Sequence, residues 1–121
     1  MIVGLSERKR LMMEILPVLQ EMAKNGDKPI FYSELAEKVG SHHRSKIFHK
    51  ALIDVAAMEP KKYILTSLVV YKDDPRTTGE GFFVIAENRY SSIKREALTS
   101  ADKRKLLANE QSKVFDYFNR P

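Results

Sequence analysis

The stretch Tyr63-Ile64-Leu65-Thr66-Ser67-Leu68-Val69-Val70-Tyr71 is rich in β-branched and aromatic residues and reads as a strand. Phe82-Phe83-Val84-Ile85-Ala86 reads as a second strand. Between them Lys72 to Gly81 holds Asp73, Asp74, Pro75 and two glycines, a turn-rich composition. Together the three segments predict a β-hairpin with a long polar tip. Upstream of Tyr63 the apolar residues follow a helical period instead, so this hairpin marks the change of architecture along the chain.

Working back from it, a helix is expected from about His43 to Ala57, with Ile47, Phe48, Ala51, Leu52 and Val55 as its apolar stripe. A short helix is expected over Tyr32 to Gly40, with Ser33 as its cap, Glu34 opening it and Gly40 closing it. A longer helix from about Ser6 to Lys24 carries Met12, Ile15, Leu16, Leu19 and Met22 on one side. Ser6 is its expected cap, and Asn25-Gly26-Asp27 ends it. Pro17 inside it removes a backbone donor and is expected to kink or split it. Beyond the hairpin, the tail from Glu87 is charged and helical. Thr99 or Ser100 can cap a last helix to Phe118 whose apolar side holds Leu107, Val114, Phe115 and Phe118.

Helix, short helix, helix, hairpin is the order of a winged helix-turn-helix domain, an α+β fold with three helices and a β-hairpin wing. The expected organisation is a winged helix-turn-helix over 1–88 and a C-terminal helical extension over 89–121, packed on it or used to form a dimer. In such a fold the third helix enters the DNA major groove. At about 100° per residue, the outer face of that helix carries His42, Lys46, His49, Lys50 and Ile53, with Asp54 at its edge. Arg44 lies nearer the apolar side and has the reach to extend outward. Ser41 to Lys50 contains all three histidines and no acid.

The run Pro29-Ile30-Phe31-Tyr32-Ser33-Glu34-Leu35-Ala36, then Val39-Gly40, resembles the opening of the DNA-binding domain of alkylguanine DNA alkyltransferases and alkyltransferase-like proteins. Leu65 to Tyr71 and Gly79-Glu80-Gly81-Phe82 follow in the corresponding order, so the likeness runs over about residues 10–86 with few matching residues. It implies a winged helix-turn-helix fold and DNA binding. Thr66-Ser67 stands where the reactive cysteine motif would fall, and alkyl transfer needs that thiolate.

The chain of 121 residues has no cysteine, which excludes disulfides, thiol nucleophiles and Cys-based metal sites. His42 and His49 are separated by roughly 10 Å along a helix axis, too far for one ion. Asp73-Asp74 is an acidic pair on a turn without converging partners, and no glycine elbow surrounds Ser67. No catalytic, metal or cofactor motif is therefore assigned. No apolar run approaches a membrane span, and the N-terminal charges follow the apolar residues, the wrong order for a secretory signal; a cytoplasmic location is expected.

The net charge of +5 permits nucleic-acid binding without demanding it. The expectation is a non-catalytic DNA-binding protein, a transcriptional regulator or DNA-linked accessory protein. Arg44, Lys46 and Lys50 are its main contacts, with His42, His43 and His49 beside them. Lys72 and Arg76 are the wing contacts, and Lys94, Arg95, Arg104 and Lys105 flanking phosphate contacts. The alternative is a protein-interaction module, an adaptor or inhibitor of the kind used in phage–host conflict, docking through Ile53 and the C-terminal aromatic stripe. A third reading, lesion sensing, requires a pocket behind the third helix.

Overall fold

The structure, a computed structural model, describes residues 3–26, 28–58 and 63–119, with side chains from residue 7 onward. The described elements are α1 (Val3–Asn25), β1 (Ile30–Phe31), α2 (Tyr32–Lys38), α3 (Lys46–Met58), β2 (Val69–Val70), α4 (Glu80–Arg89) and α5 (Ser100–Phe118), with 3₁₀ turns at Leu65–Leu68 and Arg95–Ala97. The architecture is mostly helical. β1 and β2 form a two-stranded parallel ladder, Ile30 opposite Val69 and Phe31 opposite Val70.

The expected winged helix-turn-helix, an α+β fold with a hairpin wing, is therefore corrected. Of the first predicted strand, only Val69 and Val70 are extended, and they pair with β1 rather than with residues 82–86. Leu65 to Leu68 form a buried 3₁₀ turn. The second predicted strand lies inside α4. Phe82, Phe83, Ile85 and Ala86 are all buried in that helix, so its apolar residues cover more than one side. An apolar run buried on several sides has lost the periodicity that separates a short helix from a strand. The ends decide: extended Gly79 precedes the helix, Glu80 lies at its positive end and Arg89 at its negative end.

The other expected helices stand with shifted ends. α1 runs through Pro17 unbroken. Pro17 is exposed, as is Met13 one turn earlier, so the carbonyl that loses its partner is on the side open to water. Ser6 lies within the helix rather than at its start, and Asp27 falls outside the described residues. Phe31, not Ser33, occupies the cap position of α2, with no side-chain cap bond. Gly40 does close the helix: its φ of 68° is the left-handed conformation that glycine adopts without penalty. At α3, the Ser45 hydroxyl accepts the Phe48 N–H, which starts the helix at Lys46 rather than His43. Thr99 and Asp102 form a capping box at the start of α5, each side chain accepting the other's backbone N–H.

α3 is the central element, packed on α1 along one side and α4 along another. One core gathers Leu11, Ile15 and Leu19 of α1 with Phe48 and Val55 of α3 and Val114 of α5. A second gathers Ala56, Phe82, Phe83, Ile85 and Leu107. Polar bonds pin the helices. Arg8 makes a bidentate pair with Asp54, Nε to Oδ2 at 2.5 Å and Nη2 to Oδ1 at 2.7 Å, joining α1 to α3. Arg89 donates to the carbonyls of Ala56 and Tyr63, joining the end of α4 to the end of α3.

A directed hydrogen-bond chain links α2, β2 and α4. Thr78 Oγ1 lies 2.6 Å from the Val69 carbonyl, which can only accept, so the threonine hydroxyl donates there. The Tyr32 hydroxyl must then donate to Thr78 Oγ1, 2.7 Å away, and it accepts the Gly79 N–H at 2.8 Å. Burial pushes the Tyr32 phenol above its ordinary value, so it stays protonated as this chain requires. A Cβ at position 79 would stand 2.9 Å from the Tyr32 hydroxyl oxygen and 3.6 Å from ring carbon Cζ.

Two linked outcomes are expected in urea unfolding. Tyr32→Phe leaves the buried Gly79 N–H unpaired and costs about 1–3 kcal/mol. Gly79→Ala is destabilising in the natural background by about 1–3 kcal/mol of overpacking, but costs less in the Tyr32→Phe background, where the obstructing oxygen is gone. Equal costs in both backgrounds would show that this contact does not constrain the start of α4.

Candidate nucleic-acid interface

The basic segment 41–50 becomes the turn before α3 and its first turns. The Ser45 N–H bonds the His42 carbonyl at 2.9 Å, and the Arg44 N–H bonds His42 Nδ1 at 3.1 Å. The His42 and His43 rings stack with centroids 4.6 Å apart. His49 Nε2 lies 2.6 Å from the His43 carbonyl. The turn is thereby held to the helix that follows it. The segment separating α2 from α3 spans residues 39–45, longer than the three or four residues expected for a helix-turn-helix.

Arg44, Lys46 and Lys50 are exposed, and none forms an ion pair among the described residues. Lys46 and Lys50 are four residues apart, so they share one side of α3. Asp54, the acid nearest this face along the helix, is engaged by Arg8. His49 is half-buried and faces Tyr32, their ring centroids 5.4 Å apart, which takes it out of the outer row. Ile53 is 37% exposed and would touch any Cβ at Gly81 of α4. The outward surface is thus confined to the N-terminal part of α3, because α4 comes up against its middle.

The expected wing residues have no wing. Lys72 and Arg76 lie in the loop between β2 and α4. Lys72 is exposed and borders a surface hollow with His43, Tyr71, Asp73 and Asp74, so this loop does flank the basic turn. Arg76 is bonded to Asp74, with Nε and Oδ1 3.4 Å apart. Arg104 of α5 also reaches Asp74, at 3.8 Å. Arg95 pairs with Glu80 at 3.6 Å, and Lys103 reaches the same carboxylate at 3.9 Å. Of the flanking set, only Lys94 and Lys105 are exposed without an ion pair among the described residues. The structure therefore brings together Arg44, Lys46, Lys50, His42, His43 and Lys72. It places Arg76, Arg95 and Arg104 in a mixed-charge group around Asp74 and Glu80.

Two features escaped sequence reasoning. One is the ion pairing of those arginines, since the partners come from different elements. The other is a cavity between α3 and α4, partly open to solvent, whose lining includes Tyr32, His49, Ile53, Thr66 and Phe82. Gly79-Glu80-Gly81, expected as the turn of a wing, instead opens α4 at this cavity. Glu110 was also unmarked. Its carboxylate is fully buried in α5, accepts from the Tyr90 hydroxyl, and pairs with Lys113 at 3.1 Å.

Among the described residues no group of three or more His, Asp or Glu is placed to hold a metal ion, and no helix is long and apolar enough to cross a membrane. No protein-family model matches the chain, and no curated protein or solved structure matches it.

The Asp74 carboxyl is held below the ordinary aspartate range, chiefly by the Arg76 backbone N–H, 3.2 Å from Oδ1, and also by the Arg76 and Arg104 guanidinium groups. Its folded value is depressed, so its contribution is present above the ordinary aspartate pKa and lost as pH falls through the lowered one. In an NMR titration the Arg76 amide should shift with a midpoint below about 3.9, the ordinary aspartate value. Asp74→Asn should abolish that titration. A midpoint at or above the ordinary value would contradict the capped, ion-paired loop.

Proposed function

We propose that the chain is a non-catalytic DNA-binding protein, a regulator or DNA-linked accessory protein acting in the cytoplasm, which presents the N-terminal end of α3 to duplex DNA. The observation that carries this reading is the selective pairing of charge. Arg76, Arg95, Lys103 and Arg104 lie against carboxylates, whereas Arg44, Lys46 and Lys50 share one segment, exposed and without an acid partner among the described residues.

Several physical arguments support it. The helix start contributes its own positive potential beside the three cations, which favours phosphate. The first turns of a helix are also the part that contacts base edges when a recognition helix docks end-first. Two anchors would hold α3 rigid under load: the Arg8–Asp54 pair on one side and the buried Phe48 and Val55 on another. Lys72, next to His43 across the hollow, extends the positive surface from the loop. Asp73 and Asp74 limit that extension, and the contact is accordingly small. Such a surface engages phosphate more than sequence, with weak non-specific affinity in the range of roughly 10⁻⁴ to 10⁻⁶ M.

The interaction-module reading has less support. The exposed large apolar side chains are Met13, Ile53, Met58, Tyr71 and Tyr117, distributed over α1, α3, a loop and α5. Singly exposed apolar residues are ordinary on a folded surface.

Fluorescence anisotropy with a labelled random-sequence duplex checks the DNA reading. Three phosphate contacts give a slope of log K against log salt of about −2.7, from about −0.9 per contact. Lys46→Ala/Lys50→Ala should reduce it to about −0.9, one contact's worth, while Lys103→Ala, already paired with Glu80, should leave it unchanged. Absence of binding at about 50 mM salt, or an unaltered slope in the double variant, would overturn the proposal.

A further inference from the structure

We propose that the cavity between α3 and α4 is a binding site for a small, neutral, hydroxylated aromatic molecule of about the size of phenol. The cavity encloses about 110 Å³. An apolar cavity of about 150 Å³ holds benzene, so a single aromatic ring fills this one, with its edge reaching the open side. Leu52, Ile53, Phe82 and Ile85 supply apolar wall.

Two polar groups set the ligand's chemistry. Thr66 borders the cavity and is only 6% exposed, yet its hydroxyl has no hydrogen-bond partner among the described residues. A hydroxyl left out of water with nothing to bond is costly, and a ligand that satisfies it recovers that cost. The second group is His49, which also borders the cavity. Its Nε2 lies on the His43 carbonyl, which only accepts, so that nitrogen carries the proton. In the neutral ring Nδ1 is then a lone-pair acceptor. A hydroxyl on the ligand complements this pair, accepting from one group and donating to the other. No carboxylate, lysine or arginine borders the cavity, so a charged ligand would be buried without a counter-ion. Gly81 keeps the site open beside Ile53, because a Cβ there would stand 3.4 Å from Ile53 Cγ1.

The site is independent of DNA binding, and its test uses the full chain without DNA. Phenol and benzene are titrated separately at mildly alkaline pH, where an imidazole is neutral, and followed by protein NMR. The expected result is saturable shifts centred on Thr66, His49 and Gly81, with phenol bound about ten-fold more tightly than benzene. Thr66→Val, which keeps the side chain's shape, should bind benzene as before and lose the preference for phenol. Gly81→Ala replaces a helical glycine without loss of helix propensity, keeping the fold secure. It should narrow the cavity and weaken both probes. No saturable shift up to the solubility of either probe, shifts centred elsewhere, or an undiminished phenol preference in Thr66→Val would each overturn the proposal.

Discussion

The Tyr32 hydroxyl holds together parts of the fold that nothing else in the local sequence would bring into register. It stands at the start of α2, accepts the N–H of Gly79 just before α4, and bonds Thr78, whose own hydroxyl bonds the carbonyl of Val69 in β2. Each proton in this chain has one direction it can point. Hydrogen bonds arranged in series polarise one another, and in a buried setting each broken link leaves a costly orphan. The ladder between β1 and β2 has only two residues per strand and could not set this geometry alone. With Tyr32 in place, α4 is drawn against α3, and the cavity and the free end of α3 both follow from that placement.

The surface chemistry follows from the same packing. α4 covers the middle of α3, so its outer face is open only at the beginning. That end carries Arg44, Lys46 and Lys50, while Arg8 from α1 neutralises Asp54 further along. Around the loop after β2, Asp74 and Glu80 gather arginines and a lysine from three elements. The net positive charge is therefore not spread evenly over potential. It is cancelled in one region and left standing in another, and this contrast, more than the overall excess of cations, supports a polyanion as the partner.

Much of the helical framework was legible in the chain. The stripe Ile15-Leu19 in α1, the stripe Phe48-Leu52-Val55 in α3 and the Thr99 cap of α5 each announce their element, because one face is buried and the other wet. Gly40 was legible for its backbone freedom. Residues 65–70 and 82–86 were not, since they are buried on several sides and their β-branched and aromatic character is equally that of a strand. The basic run 41–50 was legible as a candidate site because its cations are local to one another. The loss of Arg76, Arg95 and Arg104 as contacts was not, because the carboxylates that engage them come from elsewhere in the chain. Nor could the run show that His49 turns inward to Tyr32.

The most direct test of the account is an amide chemical-shift map of the folded chain with a short random-sequence duplex at low salt. The account predicts the largest shifts from His42 to Lys50, a smaller effect at Lys72, and little change around Arg95 and Arg104. Shifts concentrated at Arg95 to Arg104, or none from His42 to Lys50, would contradict it.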